Sequence, residues 1–290
     1  MHDLKFTQNF LHSKALVENI VRLAKIQHGE TVLEIGPGKG IITHALASHV
    51  GTNGRVFAVE LDNALIPDLR TRFANTPQVE IVHGDILTIK LSALFDNYAV
   101  FSNVPFSITS EIVDMLFTQN YTPDHATLIL QKETLVSTNV HGEGKTFKSL
   151  LIAPQYTVQV IHTFSRSDFT PKPSVDTVLF RFERRATPLV ANTHYALYKD
   201  FLAFVAKDRV GEGAWRKVFS KRQTKGLQNT SGLTFGRGIK SQSTDGIINA
   251  FNIFLRDASK HSLVAGAMNT LRKEQQRRET INRTGKHNRS

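Results

Sequence analysis

Between Thr31 and Glu183 the chain repeats one rhythm: a short apolar run rich in β-branched residues, then a longer stretch with apolar residues every three or four positions. A short run of that kind suits a strand buried on both faces, and the longer stretch suits a helix with one apolar side. The strand-like runs are Thr31–Ile35, Arg55–Glu60, Val79–His83, Tyr98–Ser102, His125–Gln131, Tyr156–Thr163 and Thr177–Glu183. Helical stretches are Ser13–Ile26, with Leu16, Ile20 and Leu23 on one side, then Ile41–His49, Asn63–Phe73 and Thr109–Gln119. Strands that alternate with helices predict an α/β fold with a parallel, doubly wound sheet, whose ligand sites lie at the carboxyl ends of the strands. The last two strands have little helix between them, which predicts an antiparallel pair at one edge.

After Arg185 the strand signal stops. Tyr195–Lys207, Trp215–Lys221, Asp245–Arg256 and Ser262–Glu279 read as helices, with the Gly/Ser/Thr-rich stretch 226–243 between the second and third. Charge changes at the same place. Residues 1–183 carry 15 Lys+Arg against 18 Asp+Glu, a net of −3, whereas residues 184–290 carry 21 against 7, a net of +14. Two domains are expected, 1–184 for catalysis and 185–290 as a basic helical part that attracts a phosphate backbone.

Composition also removes several chemistries. Without cysteine there is no disulfide, thiolate metal site, iron–sulfur cluster or cysteine nucleophile. The 12 histidines form no HExxH pair, so no metal is expected. No leader-like segment follows Met1, and no apolar run approaches the roughly 18 residues that cross a bilayer. A cytoplasmic monomer that avoids membranes is the expectation.

Three motifs carry chemistry. Glu34-Ile35-Gly36-Pro37-Gly38-Lys39-Gly40 joins a strand to a helix, and its glycines allow a sharp turn and a close ligand approach. Glu60 ends the next strand, where a carboxylate can accept both ribose hydroxyls of a nucleoside. The G-x-G-x-G spacing lacks the last glycine of the dinucleotide fingerprint, because Thr43 stands there, so a nucleoside without pyrophosphate is favoured. A plain strand-to-helix turn would use similar glycines. Gly84-Asp85-Ile86 follows the third strand, where Asp85 can accept an adenine N6 hydrogen while the next N–H donates to N1; an Asp in a turn is the ordinary alternative.

Asn103-Val104-Pro105-Phe106 follows the fourth strand. Adenine N6 is a weak nucleophile because its lone pair is delocalised into the ring. The Asn103 side-chain carbonyl and the Val104 backbone carbonyl can accept both N6 hydrogens and draw the amine toward a tetrahedral geometry. Pro105 stiffens the loop, and Phe106 can stack on a base drawn out of its helix. Phe106 could equally be one more of 19 phenylalanines filling a core.

Together with Gln8-Asn9-Phe10-Leu11 and Phe169-Thr170-Pro171-Lys172-Pro173-Ser174-Val175-Asp176, these motifs stand in the order found in the rRNA adenine-N6 methyltransferases. The chain resembles that family over roughly residues 5–225. The resemblance implies a Rossmann-like class I methyltransferase domain with a smaller helical domain, S-adenosylmethionine as cofactor and ribosomal RNA as partner. By the same resemblance Asn9, Leu11, Gly36, Gly38, Glu60, Asp85, Ile86 and Asn103 look like cofactor contacts, and Asn103 and Phe106 look catalytic. Phe106 replaces the Tyr of many members, which loses a hydroxyl and keeps the stacking face.

Within the family, Ser107-Ile108-Thr109-Ser110-Glu111-Ile112 and Trp215-Arg216-Lys217-Val218-Phe219-Ser220-Lys221-Arg222-Gln223 resemble the Erm branch. That branch acts on large-subunit (23S) rRNA and confers macrolide-class resistance. A small-subunit rRNA adenine dimethyltransferase and a non-catalytic nucleic-acid-binding factor on the same scaffold stay open as alternatives. Beyond Lys225 only charge speaks: Arg272, Lys273, Arg277, Arg278, Arg283, Lys286 and Arg289 either hold RNA or are simply solvated. Gly144-Lys145-Thr146 mimics the end of a phosphate-binding loop, but Asn139 stands where its first glycine belongs. With no strand expected before it, 141–148 reads as a loop beside an RNA groove.

Overall fold

The structure is a computed structural model that describes residues 9–119, 121–139, 142–207, 213–236, 238–275 and 277. Its strands match the β-branched runs: β1 (Thr31–Ile35), β2 (Arg55–Glu60), β3 (Val79–His83), β4 (Ala99–Asn103), β5 (His125–Gln131), β6 (Tyr156–Thr163) and β7 (Thr177–Arg184). They form one sheet in the order β3-β2-β1-β4-β5-β7-β6. The pairs β1/β2, β2/β3, β1/β4 and β4/β5 are parallel, and β7 runs antiparallel to both β5 and β6. Strand order therefore reverses between β1 and β4, which opens a crevice at their carboxyl ends. The fold is the expected doubly wound α/β type with an antiparallel edge.

Helices α1 (Lys14–Leu23), α2 (Ile41–Val50), α3 (Ile66–Phe73) and α4 (Thr109–Phe117) follow the predicted periods with shorter ends. The Ser13 hydroxyl accepts from the Leu16 N–H at 3.2 Å and starts α1. α3 begins later than Asn63 because Pro67 has no N–H to bond back four residues, so it fits only the first turn. Val17, Ile20 and Leu46 from α1 and α2 pack with Val32 and Phe101 of the sheet in one buried cluster.

The chain separates into two compact units. One is made of Met1–Thr134 and Tyr156–Ala186, the other of Leu135–Gln155 and Thr187–Ser290. Segment 135–155, which sequence analysis leaves in the first domain, packs with the helices because Leu150 and Leu151 are buried in their core. It contains an antiparallel hairpin, Val136–Asn139 with Gly142–Lys145, and α5 (Phe147–Ile152). A strand thus does precede Thr146, contrary to the expected loop; Thr146 is the cap of α5, its hydroxyl accepting from the Ser149 N–H at 3.1 Å. Residue 141 lies outside the described residues.

The second unit continues with α6 (Asn192–Ala206), α7 (Gly213–Val218), α8 (Lys221–Ser231), α9 (Thr244–Leu255), α10 (His261–Val264) and α11 (267–275). Its core is aromatic. Trp215 lies edge-on to Phe235 at 5.2 Å, and Phe201 sits 5.0 Å from Phe254. Helix 215–221 is in fact two helices, because the Ser220 side chain and Gln223 form a capping box that restarts the chain as α8. α8 then runs through Gly226, with Leu227 fully buried, and stops at left-handed Gly232. The helix expected over 262–279 is likewise broken at Gly266, φ +74°. There the Asp200 carboxylate accepts from the Gly266 and Met268 N–H groups at 3.0 and 2.9 Å and starts α11. Among the described residues no helix is long and apolar enough to cross a membrane.

Candidate active site

The crevice predicted by strand order contains a cleft of about 640 Å³, within the range of small-molecule sites. Asn9, Leu11, Gly36, Asn103 and Phe106 line it, as does Phe10. Gly38, Glu60, Asp85 and Ile86 are not among its lining residues; they stand at or just past the ends of β1, β2 and β3.

Each lining segment is fixed by backbone bonds that only the fold creates. The Ser102 hydroxyl donates to the Ile35 carbonyl at 2.6 Å, tying the end of β4 to the glycine loop. The Val104 N–H donates to the Ile129 carbonyl at 3.3 Å, and Pro105 passes over Gly36, whose missing Cβ would lie 3.7 Å from the proline ring. After Pro105 a short 3₁₀ turn, Phe106–Ile108, presents a partly exposed Phe106 at the cleft. The Asn103 side-chain N–H donates to the Asn9 carbonyl at 2.7 Å, which turns Oδ1, the acceptor end, the other way.

Glu60 is 1% exposed, and its carboxylate is held at both oxygens: the Gly38 N–H donates to Oε2 at 3.0 Å and the Asp62 N–H to Oε1 at 2.9 Å. Each oxygen keeps a second lone-pair direction, so two hydroxyl donors can still be received. The Gly84 N–H donates to the Glu60 carbonyl at 2.9 Å, which brings Asp85 to the end of β2. Asp85 Oδ1 accepts from the Leu87 N–H at 2.9 Å, so this is an Asp in a turn as well as a candidate acceptor through Oδ2. Glu34, at the end of β1, is also 1% exposed, and its Oε2 has no hydrogen-bond partner among the described residues. Burial pushes its carboxyl up to about 8, and the Glu60 carboxylate nearby acts in the same direction.

Sequence reasoning left several lining residues without a role: Phe10, Lys14, Lys39, Arg72, Thr170 and Pro171. Phe10, Thr170 and Pro171 lay inside the quoted motifs, and their meeting is a tertiary fact. Residues Phe10–Leu11 pair antiparallel with Phe169–Thr170, so segments far apart in sequence close one wall of the cleft. Gln8 lies outside the described residues. Trp215, Val218 and Phe219, from the Erm-like run, are core residues of the second unit, and Arg216, Lys217, Ser220, Lys221 and Arg222 are its exposed members. Among the described residues no group of three or more His, Asp or Glu side chains could hold a metal.

The ribosomal RNA adenine dimethylase family model matches residues 2–255. A Clostridium botulinum (strain Okra / Type B1) protein, ribosomal RNA small subunit methyltransferase A, is 31% identical over 188 residues, 63% of this chain and 67% of that one. The rRNA adenine N-6-methyltransferase of Bacillus licheniformis is 29% identical over 233 residues, 77% of each chain. The fold is similar to that of the 23S rRNA methyltransferase ErmE, with a TM-score of 0.73 and 24% identity, covering 86% of this chain and 100% of that one. With glycine loop, β2 carboxylate and Asn-Val-Pro-Phe loop brought to one crevice, the chain belongs to the ribosomal RNA adenine dimethylase family, the S-adenosylmethionine-dependent rRNA adenine-N6 methyltransferases.

Proposed function

We propose that this enzyme methylates N6 of an adenine in large-subunit (23S) rRNA and thereby confers macrolide-class resistance. The observation that carries the target is the pair of runs Ser107–Ile112 and Trp215–Gln223, which resemble the Erm branch. The likeness in fold to the 23S rRNA methyltransferase ErmE accords with it. The small-subunit target is the second reading, favoured by the slightly higher identity of 31%.

S-adenosylmethionine, when bound, supplies an electrophilic sulfonium methyl group. Asn9, Leu11, Gly36 and Gly38 hold its amino-acid end, Glu60 accepts its ribose hydroxyls, and Asp85 with the Ile86 N–H reads its adenine. The buried acceptors and the left-handed glycine loop suit that nucleoside. Phe106 stacks on the target base. Asn103 Oδ1 and the Val104 carbonyl accept the two N6 hydrogens and localise the nitrogen lone pair. The amine would take the methyl carbon as its bond to sulfur breaks and the neutral thioether S-adenosylhomocysteine leaves, and the ammonium-like product would shed its proton to water, so no strong base is required. Methylation removes a hydrogen-bond donor and adds bulk, which weakens a drug that packs on that base.

The test is to incubate purified enzyme and labelled cofactor with protein-free large-subunit and small-subunit rRNA separately and to map the label. Label on large-subunit adenine N6, with reduced macrolide sensitivity in expressing cells, is the expected result. Label confined to small-subunit rRNA with unchanged sensitivity overturns the large-subunit target.

A further inference from the structure

We propose that Phe10 is a positioning residue for methyl transfer: lodged against Gly38, its ring fixes the Asn9 carbonyl and so sets which end of the Asn103 amide faces the target amine. The inference rests on the role proposed above for Asn103.

Residues Asn9 to Leu11 form a strap attached at three points. At its far end Leu11 is 4% exposed, in a buried cluster with Phe169, its register partner across the two-stranded pair. At its near end the Asn9 carbonyl accepts the Asn103 amide hydrogen at 2.7 Å. Both residues line the cleft, but Leu11 is buried and Phe10 only partly so. Its ring fills the place of the side chain that Gly38 lacks: a Cβ there would stand 2.5 Å from Cε1 and 3.0 Å from Cδ1 of Phe10. Gly38 is a rigid seat, since its φ of +58° and the bond from its N–H to Glu60 hold it from the other side.

The consequence for the chemistry lies in the terminal torsion of asparagine, which is broad and roughly two-fold. The amide presents an acceptor or, flipped, a donor. A donor facing the N6 hydrogens repels the substrate amine; an acceptor draws its lone pair out. In this chain the choice is made by one hydrogen bond to a backbone carbonyl, and a backbone carbonyl two residues from the anchored Leu11 stays in place only if the residue between is packed. Phe10 supplies that packing.

The experiment is a double-mutant cycle of Phe10→Ala and Asn103→Ala in the full chain, read as the single-turnover rate at saturating cofactor, with whichever rRNA the wild-type enzyme modifies. Loss of one aligned hydrogen bond corresponds to roughly a tenfold change in rate. Phe10→Ala is expected to lower the rate roughly tenfold in the wild-type background and less than about twofold in the Asn103→Ala background. Phe10→Leu, which refills the seat over Gly38, should recover most of the rate and guards against a misfolded alanine variant. In the protein without cofactor, the two side-chain amide proton signals of Asn103 should be well separated in wild type, one N–H being bonded to the Asn9 carbonyl, and draw closer in Phe10→Ala. Additive rate losses, or amide signals unchanged by Phe10→Ala, overturn the positioning role. A wild-type rate for Asn103→Ala alone instead removes the role of Asn103 in the reaction, and this inference with it.

Discussion

The Gly38 N–H donates to Oε2 of Glu60 at 3.0 Å across 22 positions of sequence, so the glycine loop after β1 and the carboxylate at the end of β2 are one structural object. If Glu60 receives the ribose hydroxyls as proposed, removing the carboxylate both deprives the ribose of its acceptor and loosens the loop. Glu60→Ala is expected to weaken S-adenosylhomocysteine binding roughly ten- to a hundredfold, the loss of a buried charge-assisted hydrogen bond worth about 1.5–3 kcal/mol. Asp85→Ala should weaken it less, because Asp85 is partly exposed. Calorimetric titrations in which neither variant departs from wild type rule out the nucleoside assignment.

Gly38→Ala meets two separate penalties. Its φ of +58° costs a non-glycine residue about 1–2 kcal/mol, and the new methyl collides with the Phe10 ring. A fall in melting temperature is expected, partly reversed in Gly38→Ala/Phe10→Leu, because leucine lacks the Cε1 atom that stands nearest the new methyl. A double variant no more stable than Gly38→Ala alone would show that the ring is not the obstacle.

Glu34 makes stability depend on pH. Its carboxyl is raised in the folded chain from an ordinary 4.5 to about 8, so the folded state holds a proton that the unfolded state releases. That contribution is complete below about pH 4.5 and is lost as pH rises through about 8, a change on the order of a few kcal/mol at ~1.4 kcal/mol per unit. Glu34→Gln, neutral at every pH, should flatten the decline of melting temperature between about pH 5 and 8. Parallel profiles for the two proteins would refute a buried neutral Glu34.

Turnover and RNA affinity should separate at the Asn-Val-Pro-Phe loop. If Asn103 accepts the N6 hydrogens as proposed, Asn103→Ala is expected to lose methyl transfer far more than RNA binding, because such bonds tighten in the transition state. Phe106→Tyr should stay active, and Phe106→Ala should lose stacking worth about 1–3 kcal/mol, or roughly ten- to a hundredfold. Full activity in Phe106→Ala, measured with labelled cofactor on rRNA, removes the stacking role.

The basic second unit offers a test in salt. Because Met268 is buried and Leu271 packs against the core, removal of the chain from Leu271 onward would damage the unit itself. Truncation after Arg277 removes only Arg278, Arg283, Lys286 and Arg289, with their neighbours, all outside the described residues. If these cations hold phosphates, the logarithmic salt slope of RNA binding should fall by about 0.7–0.9 for each phosphate left without its cation. An identical slope shows them to be passengers.

By itself the sequence determined the layers. Seven β-branched runs and the helices between them appear within a residue or a few of their expected ends, because strand and helix periods are local properties of side-chain spacing. It also placed the sharp glycine turn after β1, where the structure has Gly36, Gly38 and Gly40 left-handed. Only the tertiary structure decided that segment 135–155 joins the helical unit, that Asp200 caps a helix 66 residues later, and that Phe10 occupies the gap over Gly38. No spacing rule announces such meetings. They arise when segments remote in sequence compete for the same buried volume, and the partner that fills it is set by the whole packed core.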